Sequence, residues 1–282
     1  MKKIKLITLY LLSFILFANY LQAQIESEKD SLESLLPFAK DYQRVDIYIA
    51  LANLVKQTDT ATAINYAQQS FKISNKISYS KGLAGAYIIL GYFDINRSDY
   101  KNAKTKYLYA ISYAIKSNDL ITISWAYENM GNLYFIHSDY SKAMRYFMGA
   151  LSKAEKSGNQ KSIALAYNKI GSLYLEMKDT LKSEFYYSKA YNILKNHGDE
   201  IAFAKISNNL GNIFKYTRHE MKALYYYNIS LEVFKKNNLQ ADISTVLNNI
   251  GMIYLSKRNF KKAFQFINES YQIDKLKSDY YN

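Results

Sequence analysis

An all-α chain made of six copies of one helix hairpin is the fold class this sequence predicts, and three observations predict it. Glycines stand at Gly91, Gly131, Gly171, Gly211 and Gly251, each 40 residues from the next, so five of the ten glycines lie on one comb. Leu51 occupies the same phase one period earlier. Small residues recur at two fixed offsets: Ala63, Ala103, Ala143, Ser183, Ala223 and Ala263 twelve positions on, and Ser70, Ala110, Ala150, Ala190, Ser230 and Ser270 nineteen positions on. The 282 residues include one proline and no cysteine. That composition argues against a turn-rich β fold and excludes disulfides, thiolate nucleophiles and cysteine-held metals. A fixed period of this length marks an array of stacked units, each burying a face its neighbours cover.

The first element is an address. Lys2, Lys3 and Lys5 precede a short apolar run from Leu6 to Phe17, followed by Ala18, Asn19 and a small residue at Ala23. This pattern predicts a secretory signal over 1–23, cleaved near Ala23; the alternative is an uncleaved N-terminal membrane anchor. Cleavage would remove three lysines and no acid, lowering the formal charge of +13 by three. No later run reaches the ~18 apolar residues a membrane span needs, so the mature chain is expected to be exported, periplasmic or extracellular. Residues 24–41 form an N-terminal segment, with a short capping helix over Ser27–Leu36 that the sole proline, Pro37, ends.

The repeats then run approximately over 42–81, 82–121, 122–161, 162–201, 202–241 and 242–279. In each first helix the comb residue sits among apolar positions at i, i+3, i+4 and i+7, as with Tyr167, Ile170, Gly171 and Tyr174. An N-cap follows at one phase: Asp59, Asp99, Asp139, Asp179 and Asn259, with His219 as the exception. A helical glycine costs about 1 kcal/mol relative to alanine. Five at one phase therefore need a packing reason, and a large ring from the second helix nesting on each glycine supplies one. The aromatic three positions after the glycine (Tyr134, Tyr174, Phe214, Tyr254) is broken by Leu54 and Asp94.

The segments YENMGNLY (127–134), DYSKAMRYFMGAL (139–151) and YNKIGSLY (167–174) resemble the tetratricopeptide repeat, and the resemblance covers about residues 42–279. It implies a right-handed α-α superhelix, a solenoid of about six helix-turn-helix units whose first helices line a concave groove. Two features depart from the family pattern. The period is 40 rather than 34, adding about 9 Å of helix per unit, and the proline that commonly closes the second helix is missing. Longer-period relatives occur among bacterial members.

Catalytic and metal-binding constellations are not expected. His137, His197 and His219 are isolated at turns, and no phosphate loop, dinucleotide glycine cluster or nucleophile elbow is present. No cofactor is implied. Lys142, Lys182, Lys222 and Lys262 recur just inside the second helices and read as a solvated face. Nucleic acid is not an expected partner.

The informative pattern is asparagine. Three first-helix phases of repeats three to six read Glu128, Asn129, Asn132; Asn168, Lys169, Ser172; Asn208, Asn209, Asn212; Asn248, Asn249, Met252. Eight of these twelve are Asn, where 24 Asn in the whole chain would place about one. Asn is a poor helix former, so something else selects it. A carboxamide donates and accepts, and a row of them suits the backbone of an extended peptide. One reading is a groove formed by Trp125, Glu128, Asn132, Phe135, Asn168, Asn208, Asn212, Lys215 and Asn248, with Tyr216 as a further apolar contact. The other is that the amides, above all Asn129, Asn209 and Asn249, bond neighbouring repeats together. The family's clamp for a C-terminal carboxylate does not match these phases.

The expected function is an exported scaffold, not an enzyme, that binds a protein or extended peptide. The alternative is the ligand-sensing region of a membrane-tethered bacterial regulator, ending before its transmembrane and output parts. Phe264, Phe266, Ile267 and Tyr271 on the last helix predict an uncapped apolar face and a homo-oligomer contact there.

Overall fold

The computed structural model describes residues 26–196, 199–237 and 239–279. The signal segment and His197 lie outside them. Thirteen helices and no strand occur among the described residues: α1 (26–35), α2 (Asp41–Val55), α3 (Thr60–Lys76), α4 (Ser80–Asn96), α5 (Tyr100–Ser117), α6 (Leu120–Ile136), α7 (Tyr140–Ser157), α8 (Gln160–Glu176), α9 (Thr180–Lys195), α10 (Glu200–Tyr216), α11 (Glu220–Lys236), α12 (Gln240–Ser256) and α13 (Phe260–Asp279). They form two compact units, divided between Ser162 and Ile163. None of the described helices is long and apolar enough to cross a membrane.

Size complementarity at the comb residue builds each hairpin. A Cβ placed on Gly131 would stand 2.6 Å from the Phe147 ring of α7, and one on Gly91 would stand 2.6 Å from Tyr107 of α5. Tyr187, Tyr227 and Ile267 meet Gly171, Gly211 and Gly251 in the same way. Sixteen positions therefore separate each small residue from its large partner. In the first repeat the sizes are exchanged: Leu51 is large, its counterpart Ala67 is small, and both belong to one buried cluster.

A second recurring pair lies beside it. Tyr134 stacks on Tyr146, Tyr174 on Tyr186, Phe214 on Tyr226 and Tyr254 on Phe266, with interplanar angles of 10°, 8°, 6° and 4°. Over the outer side of the first ring in each pair lies a lysine: Lys142 at 5.3 Å, Lys182 at 5.1 Å, Lys222 at 5.1 Å and Lys262 at 5.0 Å from the centroid. The periodic lysines thus cover ring faces, a favourable cation–π arrangement. In the second repeat the equivalent positions hold Asp94 and Lys106, which form an ion pair in place of the stacked rings.

Turns repeat as faithfully as the core. Asp59, Asp99, Asp139 and Asp179 accept the backbone N–H three residues on, and Asn259 does the same for Lys262. His219 makes no cap bond; its Nδ1 lies 3.0 Å from Thr217 Oγ1. The Asp139 carboxyl is held below the usual carboxylate range, chiefly by its hydrogen bonds from the Lys142 side chain and backbone. Between the helices of the hairpins one residue takes the left-handed conformation: Ser98, Ser138, Lys178, Arg218 and Arg258, with φ of 56–62°. The next residue donates five positions back, as Asp139 N does to Tyr134 O at 2.9 Å, closing a Schellman turn.

At the ends of the chain, Leu32 and Leu36 pack against the first-repeat cluster, and Arg44 Nε donates to Leu36 O at 3.0 Å. On α13, Phe266 packs inward and Ile267 fills the space at Gly251, whereas Phe264 and Tyr271 are 73% and 59% exposed. Asp274 stands at the phase that Ala114, Ala154, Leu194 and Phe234 fill with buried apolar side chains in the repeats before it, so this face of α13 is partly polar. Outer faces of second helices are not uniformly polar either. Leu181 and Phe185 of α9 and Met221 and Tyr225 of α11 are exposed at two matching phases.

Candidate functional site

In the second unit the first helices α8, α10 and α12 present the asparagines. Asn209 Nδ2 donates to Asn168 Oδ1 at 2.9 Å, joining α10 to α8. Asn249 Nδ2 donates to Asn212 Oδ1 at 3.3 Å, and Lys215 Nζ donates to Asn249 Oδ1 at 2.6 Å, joining α10 to α12. Asn212 Oδ1 also accepts the Tyr227 hydroxyl at 2.7 Å. Burial of Tyr227 pushes its hydroxyl well above the ordinary tyrosine value, which keeps it a donor. Tyr187 is pushed up to about 12 by burial and donates to Ser172 Oγ at 2.9 Å, at the corresponding phases of α9 and α8. In repeats four and five the residue after the comb glycine therefore serves as acceptor for the nesting tyrosine.

These bonds divide the candidate residues. Asn168, Asn209, Asn212 and Asn249 are engaged in holding neighbouring helices together. Asn208 and Asn248 make no hydrogen bond among the described residues; Asn248 is exposed, and the Asn208 Oδ1 atom is buried without a partner. Lys215 is half-buried, and desolvation holds its ammonium below the ordinary lysine value. Tyr216 beside it is exposed.

In the first unit the corresponding helices are α2, α4 and α6. Asn132 is half-buried and makes no hydrogen bond among the described residues; its nesting ring is Phe147, which has no hydroxyl to satisfy. Asn129 Nδ2 donates to its own helix, at Trp125 O, at 2.9 Å. Glu128 is half-buried. Phe135 leans toward Tyr140 across the hairpin turn, at 6.2 Å between centroids. Trp125 packs against the apolar residues of both neighbouring clusters. It also lines a shallow depression with Asn53, Lys56, Ile88, Ile89, Tyr92 and Asn129. There Lys56 Nζ donates to Asn53 Oδ1 at 3.0 Å and lies 5.4 Å from the Tyr92 centroid.

The depression draws on repeats one to three, and its α4 residues Ile88, Ile89 and Tyr92 stand at the three phases that carry no asparagine there. Sequence reasoning missed it because Asn53 and Lys56 come from two and five positions after Leu51, outside those phases. A wider scan of first-helix phases, pairing Lys56 with Tyr92, is the signal that finds it. Of the histidines, His137 meets Tyr100 edge-on at 4.5 Å and His219 lies at a turn, far apart in sequence. Among the described residues no three His, Cys, Asp or Glu side chains form a group suited to a metal ion.

Comparison with known families and structures returns one architecture. Two tetratricopeptide repeat models match, one over residues 84–196 and one over 244–275. No curated protein matches the chain. Among solved structures, a Rap protein complexed with Competence and Sporulation Factor aligns with a TM-score of 0.66 at 19% identity, covering 93% of this chain and 72% of that one. BtubC from P. vanneervenii aligns with a TM-score of 0.65 at 20% identity, covering 76% and 91%. Aspartyl phosphate phosphatase F from Bacillus subtilis aligns with a TM-score of 0.64 at 19% identity, covering 89% and 68%. At these identities the likeness is one of fold.

Proposed function

Because the chain belongs to the tetratricopeptide repeat family, we propose that it is an exported scaffold that binds a protein or an extended peptide on its first-helix faces and carries out no catalysis itself. Export rests on the basic and apolar pattern of residues 1–23. Binding rests on one observation above the others: Asn208 and Asn248, on the adjacent first helices α10 and α12, have no internal hydrogen bond. Asparagine lowers helix stability, and a buried carbonyl oxygen without a donor costs about 1–3 kcal/mol. Neither residue recovers that cost within the chain, whereas Asn212 and Asn249 do. A ligand carbonyl accepting from Asn208 Nδ2 and a ligand amide at Asn248 would offset part of it. Asn132 on α6, at the phase of Asn212, is a free amide of the first unit, and Trp125 is an apolar residue of the same helix. The structure of a Rap protein with its bound factor offers a parallel for ligand binding on this fold. A second copy of the chain is a further partner we propose, at the exposed Phe264 and Tyr271 of α13.

The test separates the free amides from the engaged ones. Acetylated and amidated ten-residue peptides are screened by fluorescence polarisation, and binders are re-measured with variants. Asn208→Ala with Asn248→Ala should weaken binding about tenfold, the loss of two neutral hydrogen bonds, with a raised melting midpoint. Asn212→Ala should instead lower stability, by about 1–3 kcal/mol, because it strands the Tyr227 hydroxyl and the Asn249 amide. Unchanged affinity in the double variant removes this face from the proposal.

A further inference from the structure

Among the described residues Lys215 is half-buried with no carboxylate within 4.0 Å, whereas Lys178, Lys195, Lys205 and Lys261 of its unit are exposed. Lys182, Lys235, Lys236 and Lys257 each lie within 4.0 Å of a carboxylate, and Lys222 and Lys262 lie over ring faces. Lys215 is half-buried, and its one partner is a neutral amide oxygen, Asn249 Oδ1 at 2.6 Å. An ammonium has three donors in fixed tetrahedral directions, so two remain to be used. Its orientation is set by a chain of bonds, since Asn249 is itself anchored on Asn212 and Asn212 on Tyr227. Partial burial of a cation without a counter-ion is costly, and nothing in the packing needs the charge. A methionine would fill the same volume.

Asn208, Asn212 and Lys215 fall at i, i+4 and i+7 on α10, along one face. The seven-residue separation is about 10 Å at 1.5 Å per residue, the length of about three residues of extended chain. We propose that Lys215 receives the side-chain carboxylate of an Asp or Glu in an extended peptide lying along α10, about three residues from the residue whose C=O accepts from Asn208 Nδ2. This rests on the peptide-binding reading above and names the chemistry that selects the peptide. The net positive charge of the chain, +13 and three lower after cleavage near Ala23, favours approach of an acidic segment.

The experiment uses the purified protein and fluorescein-labelled, acetylated and amidated ten-residue peptides with Asp, Asn or Lys at one scanned position. A second series leaves the C-terminal carboxylate free. The expected result is about tenfold preference for Asp over Asn at one position, reduced by added salt. Lys215→Met or Lys215→Gln should abolish the preference while retaining binding of the Asn peptide, and Lys215→Arg should retain the preference. The melting midpoint of Lys215→Met should be unchanged or raised, the opposite of what a structural ion-pair partner would give. Equal binding of Asp and Asn peptides overturns this inference and leaves the scaffold reading standing. A preference seen only in the free-carboxylate series also overturns it. Failure of every peptide to bind overturns both readings.

Discussion

On α10 and α11 the Phe214 ring lies flat on Tyr226; at the same two positions of α4 and α5 stand Asp94 and Lys106, joined as an ion pair. The backbone hairpin around them is the same. A similar exchange occurs at the comb residue, where Gly211 receives Tyr227 but Leu51 is matched by Ala67. The repeat therefore specifies a relation between two positions, not a residue at either. Large meets small at one pair of phases; ring meets ring, or acid meets base, at the other. Within a shared backbone, each repeat is free to choose its solution as long as both partners change together.

The largest effects should come from breaking one partner of such a pair. Gly211→Leu drives a side chain into the Tyr227 ring and should cost about 3 kcal/mol, at the upper end of overpacking. Tyr227→Ala should cost about 3–5 kcal/mol through the cavity it leaves. The double variant reproduces the Leu51–Ala67 solution and should recover about 2 kcal/mol of the summed loss, a coupling of the size seen for contacting residues. Urea unfolding midpoints of the four proteins measure it, and strict additivity would refute the exchange rule. The next effect is smaller because the pair is nearer water. Asp94→Ala leaves Lys106 with its buried stem and no acid, and should cost about 2 kcal/mol. Asp94→Tyr with Lys106→Tyr should restore most of that loss by recreating the ring pair of the later repeats.

That rule also says what the sequence could and could not reveal. Periodicity alone located the glycine phase, the caps and the small residues, because each is demanded by local geometry that every repeat shares. The exceptions, Asp94 and Leu51, looked like noise in a single column. They make sense only when the residue twelve or sixteen positions away is known to touch them. The asparagines show the same limit. Their enrichment was plain, but the column could not distinguish an amide that bridges helices from one left free. The distinction depends on neighbours in another helix: Asn212 is committed because residue 227 is a tyrosine, and Asn132 is free in a repeat whose residue 147 is a phenylalanine. The lysines just inside the second helices were legible as a pattern but not as ring covers, since a charge repeated on a helix start reads as solvated. The depression around Trp125 was invisible because it draws on three helices and takes its α2 residues, Asn53 and Lys56, from outside the scanned phases.

The smallest effect concerns the turns, where repeats two to six agree and none holds the most favourable residue. Lys178 and Arg218 sit at φ of 62° and 61°, a conformation that disfavours any side chain with a Cβ by about 1–2 kcal/mol. Glycine removes that strain but adds about 0.5–1 kcal/mol of unfolded-chain entropy. Lys178→Gly or Arg218→Gly should therefore stabilise by about 0.5 kcal/mol, and the pair should add, being in different turns. Gly158 already fills a left-handed position, at φ of 69°, at the end of α7. Gly158→Ala should then destabilise by a similar amount, although a Cβ there meets open space. Melting midpoints moving in opposite directions for these two kinds of substitution would isolate backbone conformation from packing. The comb glycines respond to the side chain nested on them, and the turn positions to φ, so one residue type reports two separable forces in the same fold.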